Sequence, residues 1–345
     1  MTGRLRAVVP YGREGASSRV RVLDWIDELG LDADVVDYGG LANNRPGTLM
    51  KHPLTTLRGE IRVRRGMRSD SRLVLSREAS PFSLGGLEAS LLKRAAYGVY
   101  DFDDALFHDR GVGVRRLFSK ARKCEAAVVA ADHVIAGNDY LAEWVQKKNC
   151  AVTVIPSCVN PAKYAVKSSW AIDGSPRLVW MGSQSTEVFL ESISEALLFV
   201  HQSRGARLTV VSGSGQRSLG SLDRMVDRVS WTPTTYTTVL ASADIGISPL
   251  ADTPYARGKC AYKLLQYGAS GLPVIGSPVG ANELALRRLR GLAPKSVDEW
   301  ADALCELIDA TSSAREVRGR AGRSAVAAHY SFEAWAPTWR ATVFG

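Results

Sequence analysis

Residues 244–276 constrain the fold more than any other stretch of the chain. Ile245 to Leu250 is a short apolar run with Pro249 near its end, which suits a buried parallel strand better than a helix. Lys263 to Ser270 carries apolar residues at helical spacing, and Gly271 stands where a helix takes its C-terminal cap. Leu272-Pro273-Val274-Ile275-Gly276 then enters a second strand, with proline at its first positions. In such a βαβ unit the loop after the first strand lies at the carboxyl edge of the sheet, where open α/β folds bind ligands. Arg257, Lys259 and Lys263 fall there, beside the start of the helix. Lys259 and Lys263, four residues apart, are expected to share one helix-end face. Cations next to helix N–H groups make an anion site, most simply for a diphosphate.

The rest of the chain repeats this alternation. Predicted strands are Leu5–Pro10, Asp34–Tyr38, Ser71–Ser76, Gly98–Asp104, Asp132–Gly137 and Ala151–Pro156, with helical patterns between them. Residues 41–70 are basic and poorly periodic, and read as loop and helix. Residues 161–176, rich in Lys, Ser, Pro and Gly, read as a linker. The pattern restarts at Arg177–Gly182, continues with strands at Arg207–Ser212 and Arg228–Trp231, and ends in helices over Glu299–Asp309, Ala314–Ala328 and from Ser331 to Phe344. The expected architecture is α/β: two Rossmann-like parallel-sheet domains, 1–160 and 177–330, facing a cleft, with residues 331–345 as a terminal helix returning toward the first domain.

The chain of 345 residues is long enough for two cores and has no run of eighteen apolar residues, so a transmembrane helix is not expected. No secretory leader is evident, and the five cysteines, Cys124, Cys150, Cys158, Cys260 and Cys305, are scattered without metal or disulfide spacing. Both features point to the cytoplasm. The net charge is +9, and the first half carries much of the excess, at Lys51, Arg58, Arg62, Arg64, Arg65, Arg68 and Arg72, then Arg115, Arg116, Lys120, Arg122 and Lys123. A solvated face explains such a run; so does peripheral contact with an anionic membrane or with an anionic ligand. Nucleic acid is not expected, because no zinc-finger spacing or RNP-like strand is present and aromatics do not interleave with the basic run.

Several further residues stand where chemistry is done. Gly12, Gly15, Ser17, Ser18 and Arg19 lie between the first strand and first helix, as in a phosphate-binding turn. Ser183, Ser185 and Thr186 follow the strand Arg177–Gly182 and can cap the next helix, bind phosphate, or both. Asp101-Phe102-Asp103-Asp104 places three carboxylates at the end of a strand, with period two putting Asp101 and Asp103 on one face and His108 four residues beyond Asp104.

Together these segments resemble GT-B glycosyltransferases of the retaining family 4 type, the glycosyl transferases group 1. Val179-Trp180-Met181-Gly182-Ser183 with Ser185-Thr186, Asp244–Leu250, Arg257–Tyr267, and Gly271–Ile275 with Ser277-Pro278-Val279-Gly280 resemble the donor domain of one branch. Tyr100–Asp104 and Val152–Ser157 resemble first-domain segments more loosely. The family's usual two glutamates, eight residues apart, fall on Gly258 and Gln266, and both are replaced. The Arg and Lys usual after the donor domain's first strand are replaced by Ser183, Gln184, Ser185 and Thr186.

The resemblance implies a metal-independent, hexosyltransferase-like enzyme without a resident cofactor. It would move sugar, with retention, from a nucleotide-diphosphate sugar of the UDP or GDP type to a hydroxyl acceptor on a glycan, lipid-linked intermediate or natural product. It implies diphosphate contacts from Gly15, Ser183, Ser185, Thr186, Arg257, Lys259 and Lys263, and a nucleoside side made by Gly213, Trp231, Thr232 and Gln266. Asp103 or Asp104 would orient the acceptor hydroxyl or accept its proton, with His108 nearby. In a GT-A enzyme the D-x-D pattern would hold a metal, but the two-domain pattern speaks against that here. Two other readings stand beside this one. The replaced glutamates favour a nucleotide-sugar binding protein that has lost catalysis. A Rossmann oxidoreductase would need G-x-G-x-x-G, of which Gly213-Ser214-Gly215 supplies only the first part. The oligomeric state is open.

Overall fold

The computed structural model describes residues 5–40, 46–65, 71–111, 116–213 and 217–345. Arg68, Arg115, Ser214 and Gly215, named above, lie outside the described residues. The chain divides into two compact units. The first is Met1–Cys158 with Arg257–Cys260 and Trp335–Gly345; the second is Val159–Ala256 with Ala261–Ala334.

The first unit is a six-stranded parallel sheet of β1 (Leu5–Val8), β2 (Ala33–Val36), β3 (Arg72–Ser76), β4 (Tyr97–Phe102), β5 (His133–Ala136) and β6 (Val152–Val154), in the order β2-β1-β3-β4-β5-β6. The second is a five-stranded parallel sheet of β7 (Arg177–Met181), β8 (Arg207–Ser212), β9 (Val226–Ser230), β10 (Ile245–Ser248) and β11 (Val274–Gly276), in the order β11-β10-β7-β8-β9. Central strands such as β10 are buried along their whole length, as helices on both faces require. Each sheet reverses its direction of growth once: between β1 and β3 in the first unit, and between β7 and β10 in the second. Those reversals are the switch points outside which open α/β sheets bind ligands.

Local signals set many helix ends. The Asn138 side chain caps helix Asp139–Gln146 by accepting from Leu141 N at 3.0 Å, and Ser331 Oγ accepts from Ala334 N at 3.1 Å. Gly271 has φ +77°, a left-handed conformation that lets the chain leave helix Tyr262–Ala269 and enter β11. The basic stretch before β3, read as loop and helix, contains two helices, Pro46–Lys51 and Pro53–Arg64, whose bounds its weak periodicity did not mark.

The helix after β1 begins at Ala16, widens into a π turn over Arg19–Leu23 and resumes as α-helix to Glu28. Within it Val20, Arg21, Val22 and Leu23 are all buried, so a charged side chain enters the core. Arg21 forks onto Asp101 (Nε–Oδ1 3.1 Å, Nη2–Oδ2 2.7 Å), and its Nη1 donates to Ile155 O at 2.9 Å. This single guanidinium ties the first helix to β4 and to the segment after β6.

Residues 161–176, expected as a linker, are part of the second unit. Their polar composition hides two buried anchors. Lys167 Nζ donates to Ala243 O at 2.6 Å and pairs with Asp244 at 3.3 Å; Trp170 Nε1 donates to Gly271 O at 2.9 Å. The last helix, Phe332–Phe344, belongs to the first unit from Trp335 onward. There Trp339 stacks on Trp25 with ring centroids 5.4 Å apart and planes 9° from parallel.

Candidate active site

At the switch point of the first unit, the start of the helix after β1 and the loops after β3 and β4 meet on one side chain. Arg77 follows β3 directly and holds φ +61°, an uncommon conformation for a non-glycine residue. Its backbone is fixed on both sides: its N–H donates to Asp101 O at 2.9 Å, and its carbonyl accepts from the Tyr100 hydroxyl at 2.9 Å. The side chain, 7% exposed, points Nη1 at Ser17 Oγ (2.8 Å), Asp103 Oδ1 (2.7 Å) and Asp104 Oδ2 (2.8 Å). Lys259 Nζ lies 3.5 Å from Asp104 Oδ1. The result is two carboxylates held by two cations at the carboxyl edge of the sheet.

The three carboxylates of the D-x-D stretch have separate environments. β4 ends at Phe102, so the period-two face shared by Asp101 and Asp103 does not extend to Asp103, which lies in the turn beyond it. Asp101 is buried against Arg21, and burial raises its carboxyl above the ordinary value although Arg21 opposes the rise. For Asp104, burial also disfavours the charge, but Arg77 and then Lys259 outweigh it and hold the carboxyl below the ordinary value. Among the described residues no group of three or more His, Cys, Asp and Glu side chains is arranged to hold a metal ion.

The depressed Asp104 carboxyl carries a definite pH signature. A carboxylate lowered in the fold contributes stability that is present above its unfolded value of about 3.9 and is lost as pH falls through the folded value. Asp104→Asn should therefore flatten the rise of stability with pH at and below about pH 4. Urea midpoints for both proteins across that range check it; equal slopes would contradict the assignment.

His108 stands in the short helical turn Leu106–His108, with Nε2 2.9 Å from the Tyr140 hydroxyl. It lies on a stack in which Phe107 covers Trp144 at 4.3 Å. Gly15 precedes the first helix, and a Cβ there would lie 2.4 Å from Tyr11 Cβ. Ser18 Oγ accepts from Tyr11 N at 3.0 Å, so this turn spends its two serines on the fold and on Arg77.

The segment Arg257–Cys260 belongs to the first unit. Asn138 Nδ2 donates to the carbonyls of Arg257 (3.3 Å) and Lys259 (3.1 Å), and Cys260 Sγ donates to Asp103 O at 3.3 Å. A Cβ on Gly258 would lie 2.5 Å from Ala105 N and 2.6 Å from Ala105 Cβ. No side chain fits at that position as the segment stands. The expectation that Lys259 and Lys263 share a helix-end face is corrected here. The helix begins only at Tyr262, and Ala261 before it is left-handed at φ +57°, so Lys259 lies in the loop. Arg257 is exposed.

At the switch point of the second unit, the turn after β7 carries a cluster of hydroxyls. Ser183 Oγ is 3.0 Å from Ser185 Oγ and 3.4 Å from Thr186 Oγ1. The turn is anchored by the next residue, Glu187, which is fully buried, accepts from Ser212 Oγ at 2.7 Å and pairs with Arg228 at 3.2 Å. Lys263 Nζ lies over the ring of Trp180, 5.4 Å from its centroid. A Cβ on Gly182 would be 2.9 Å from Lys263 Cε, so turn, lysine and strand end are packed together.

The nucleoside-side residues are spread differently. Trp231 is half-buried at the end of β9 and stacks on Tyr236 at 5.7 Å. Thr232 Oγ1 accepts from Thr235 N at 3.2 Å, a local turn. Gly213 is exposed, and a Cβ there would meet nothing within 4 Å, so no close backbone approach requires glycine at that point. Gln266 is 5% exposed, so it is an interior residue rather than a surface one.

Sequence reasoning did not single out Arg77 or Arg21, and read Asn138 as a helix cap without its hold on the Arg257 and Lys259 carbonyls. The two arginines carry no local signal, because they acquire their partners through tertiary structure.

Two doubly wound parallel units, each with polar side chains gathered at its switch point, define the GT-B class of fold. Residues 175–310, within the second unit, match the family model described as Glycosyl transferases group 1. Solved structures similar to the whole chain include WaaG, a glycosyltransferase involved in lipopolysaccharide biosynthesis (TM-score 0.68, 14% identity, 99% of this chain and 100% of that one). Another is Anabaena HepE in complex with UDP and glucose (TM-score 0.69, 13% identity, 98% and 99%). The chain is also similar to S. aureus TarM bound to UDP (TM-score 0.60, 12% identity); the match covers 81% of this chain and spans 56% of TarM. No curated protein matches the chain by sequence.

Proposed function

We propose that the chain is a retaining glycosyltransferase that moves a sugar from a nucleotide-diphosphate sugar to a hydroxyl acceptor. One observation carries this reading: the part of the chain that matches the glycosyl transferases group 1 also holds the hydroxyl turn and Lys263 at its switch point. UDP is the nucleotide favoured, because two of the similar structures are bound to it.

In this reading the second unit binds the donor. The hydroxyls of Ser183, Ser185 and Thr186 and the ammonium of Lys263 meet the diphosphate, which gains charge as the sugar leaves. Lys259 is engaged by Asp104, so the phosphate charge rests more on Lys263. Trp231 offers a flat face to the base. In the first unit, Asp103 and Asp104 orient the acceptor hydroxyl. A carboxylate held by Arg77 and Lys259 is a weak base, so Asp104 does not take the acceptor hydroxyl's proton, which passes to the departing diphosphate. We place this reaction in the cytoplasm on the strength of the dispersed cysteines, all unpaired. Among the described residues no helix is long and apolar enough to cross a membrane.

Lys263→Ala should weaken UDP binding about tenfold, the value of one charge-assisted contact. A thermal-shift titration with UDP reads this directly, since a ligand stabilises by RT times the logarithm of one plus the ratio of its concentration to its Kd. Unchanged affinity would remove Lys263 from the donor site. A second reading, a nucleotide-sugar binder without turnover, is favoured by Gly258, where no carboxylate side chain fits. It predicts the same UDP shift with no release of nucleotide from any donor.

A further inference from the structure

The helix Pro53–Arg64 is unusual among the helices of the first unit in the face it shows to solvent. Leu54, Leu57 and Ile61 are 68%, 58% and 39% exposed, and Met50 in the preceding short helix is 80% exposed. At spacings of three and four, Leu54, Leu57 and Ile61 form one stripe on the helix. Each of Leu57 and Ile61 is followed by an exposed arginine, Arg58 and Arg62, so a basic stripe runs beside the apolar one, with Arg65 continuing it. The inner face is carried by Gly59 and Val63, both buried, and Glu60 is turned inward to Tyr38 and Ser80.

Beside the C-terminal end of this helix lies a cavity of about 540 Å³, lined by Arg6, Arg58, Arg62, Arg65, Ile61 and Asp34. Four guanidinium groups stand against a single carboxylate. Asp34 is shared by Arg6 (3.5 Å) and Arg62 (3.9 Å). Arg6 is 3% exposed, donates from Nη2 to the carbonyls of Arg62 and Arg65, and keeps a buried Nε with no hydrogen-bond partner. The cavity is therefore strongly positive and borders the apolar stripe at Ile61.

We propose that this face docks on an anionic lipid bilayer. Leu54, Leu57 and Ile61 enter the headgroup boundary, while Arg58, Arg62 and Arg65 meet lipid phosphates, one of which the cavity accepts. An exposed apolar stripe with arginines along one flank is the pattern of a helix lying in a membrane interface. Charge alone would account for the arginines but not for three exposed aliphatic side chains in register with them. The inference does not depend on the glycosyl-transfer reading, because vesicle binding requires neither donor nor acceptor.

The test is sedimentation of the full chain with vesicles of equimolar phosphatidylcholine and phosphatidylglycerol, against phosphatidylcholine alone. The expected result is binding to the anionic vesicles only. Arg58→Gln/Arg62→Gln should reduce the partition coefficient about tenfold or more. Leu54→Gln/Leu57→Gln, which keeps every charge, should reduce it by a similar factor. Both pairs are exposed, and unchanged melting curves confirm that the variants fold. The proposal is overturned if the wild-type chain does not bind at low salt, or if the leucine pair leaves binding unchanged. It is also overturned if the leucine pair instead dissociates a dimer while vesicle binding persists, since a second copy would then cover the stripe.

Discussion

Arg77→Met should cost about 3 kcal/mol of folding stability and lower turnover about 10²-fold or more. The stability term follows from what is left behind. Methionine fills much of the arginine's volume but donates nothing to Ser17, Asp103 or Asp104, which all share Nη1 at 2.7–2.8 Å. Breaking a buried ion pair from one side costs about 3–5 kcal/mol. The lower end applies because Asp103 and Asp104 are 15% and 18% exposed and keep some water. The backbone supplies a second, separable effect. Arg77 sits at φ +61°, which costs an L-residue about 1–2 kcal/mol. Arg77→Gly loses the same ion pairs but relieves that strain, so it should be less destabilised than Arg77→Ala. Urea unfolding of the three variants checks the order; a glycine variant less stable than the alanine one would contradict the account of this turn.

Gly258→Glu, which returns a carboxylate to the family's usual position, should destabilise the chain by about 2–3 kcal/mol and gain no activity. The obstacle is the Cβ and not the charge. It would lie 2.5 Å from a backbone nitrogen, Ala105 N, which cannot step aside as the end of a flexible side chain can. Making room would move Arg257–Cys260 off Asn138 or displace Ala105, next in the chain to Asp104. Gly258→Ala should therefore lose nearly as much stability as Gly258→Glu. If alanine is tolerated and glutamate is not, the cause is electrostatic and the packing account fails.

Much of the scaffold is legible in the sequence because its causes are local. The parallel strands read as short apolar runs, and Asn138, Ser331 and Gly271 announce their helix ends through their own chemistry. The hydroxyl turn at Ser183–Thr186 is visible for the same reason, since it follows a strand directly. What escapes is decided by partners far away in the chain. Arg77 carries no motif; it matters because Ser17 arrives from the start of the first helix and Asp103 and Asp104 from the β4 loop. Lys259 looks like a helix-end cation until Ala261 turns the backbone and Asp104 takes the ammonium. Gln266 sits on a helix whose pattern does not tell that its side chain is buried. Residues 161–176 have a linker's composition, and only Asp244 and the Gly271 carbonyl show that Lys167 and Trp170 are anchors.

Gly258 sharpens what the replaced glutamates mean. Space excludes a side chain there, so a carboxylate from that position takes no part in any chemistry the chain performs. Under the proposed function, turnover would rest on Lys263, the hydroxyl turn and the Asp103–Asp104 pair, with the leaving diphosphate as the base. That demand is specific enough to test in one assay. The chain is incubated with a panel of UDP- and GDP-sugars, and released nucleotide is followed together with the anomeric configuration of the freed sugar. Slow release from at least one donor, with the configuration retained and with loss of release in Lys263→Ala, is the predicted result. A donor that binds and raises the melting temperature but is never cleaved, with or without added acceptor alcohols, would contradict the claim of glycosyl transfer and leave a nucleotide-sugar binding protein in its place.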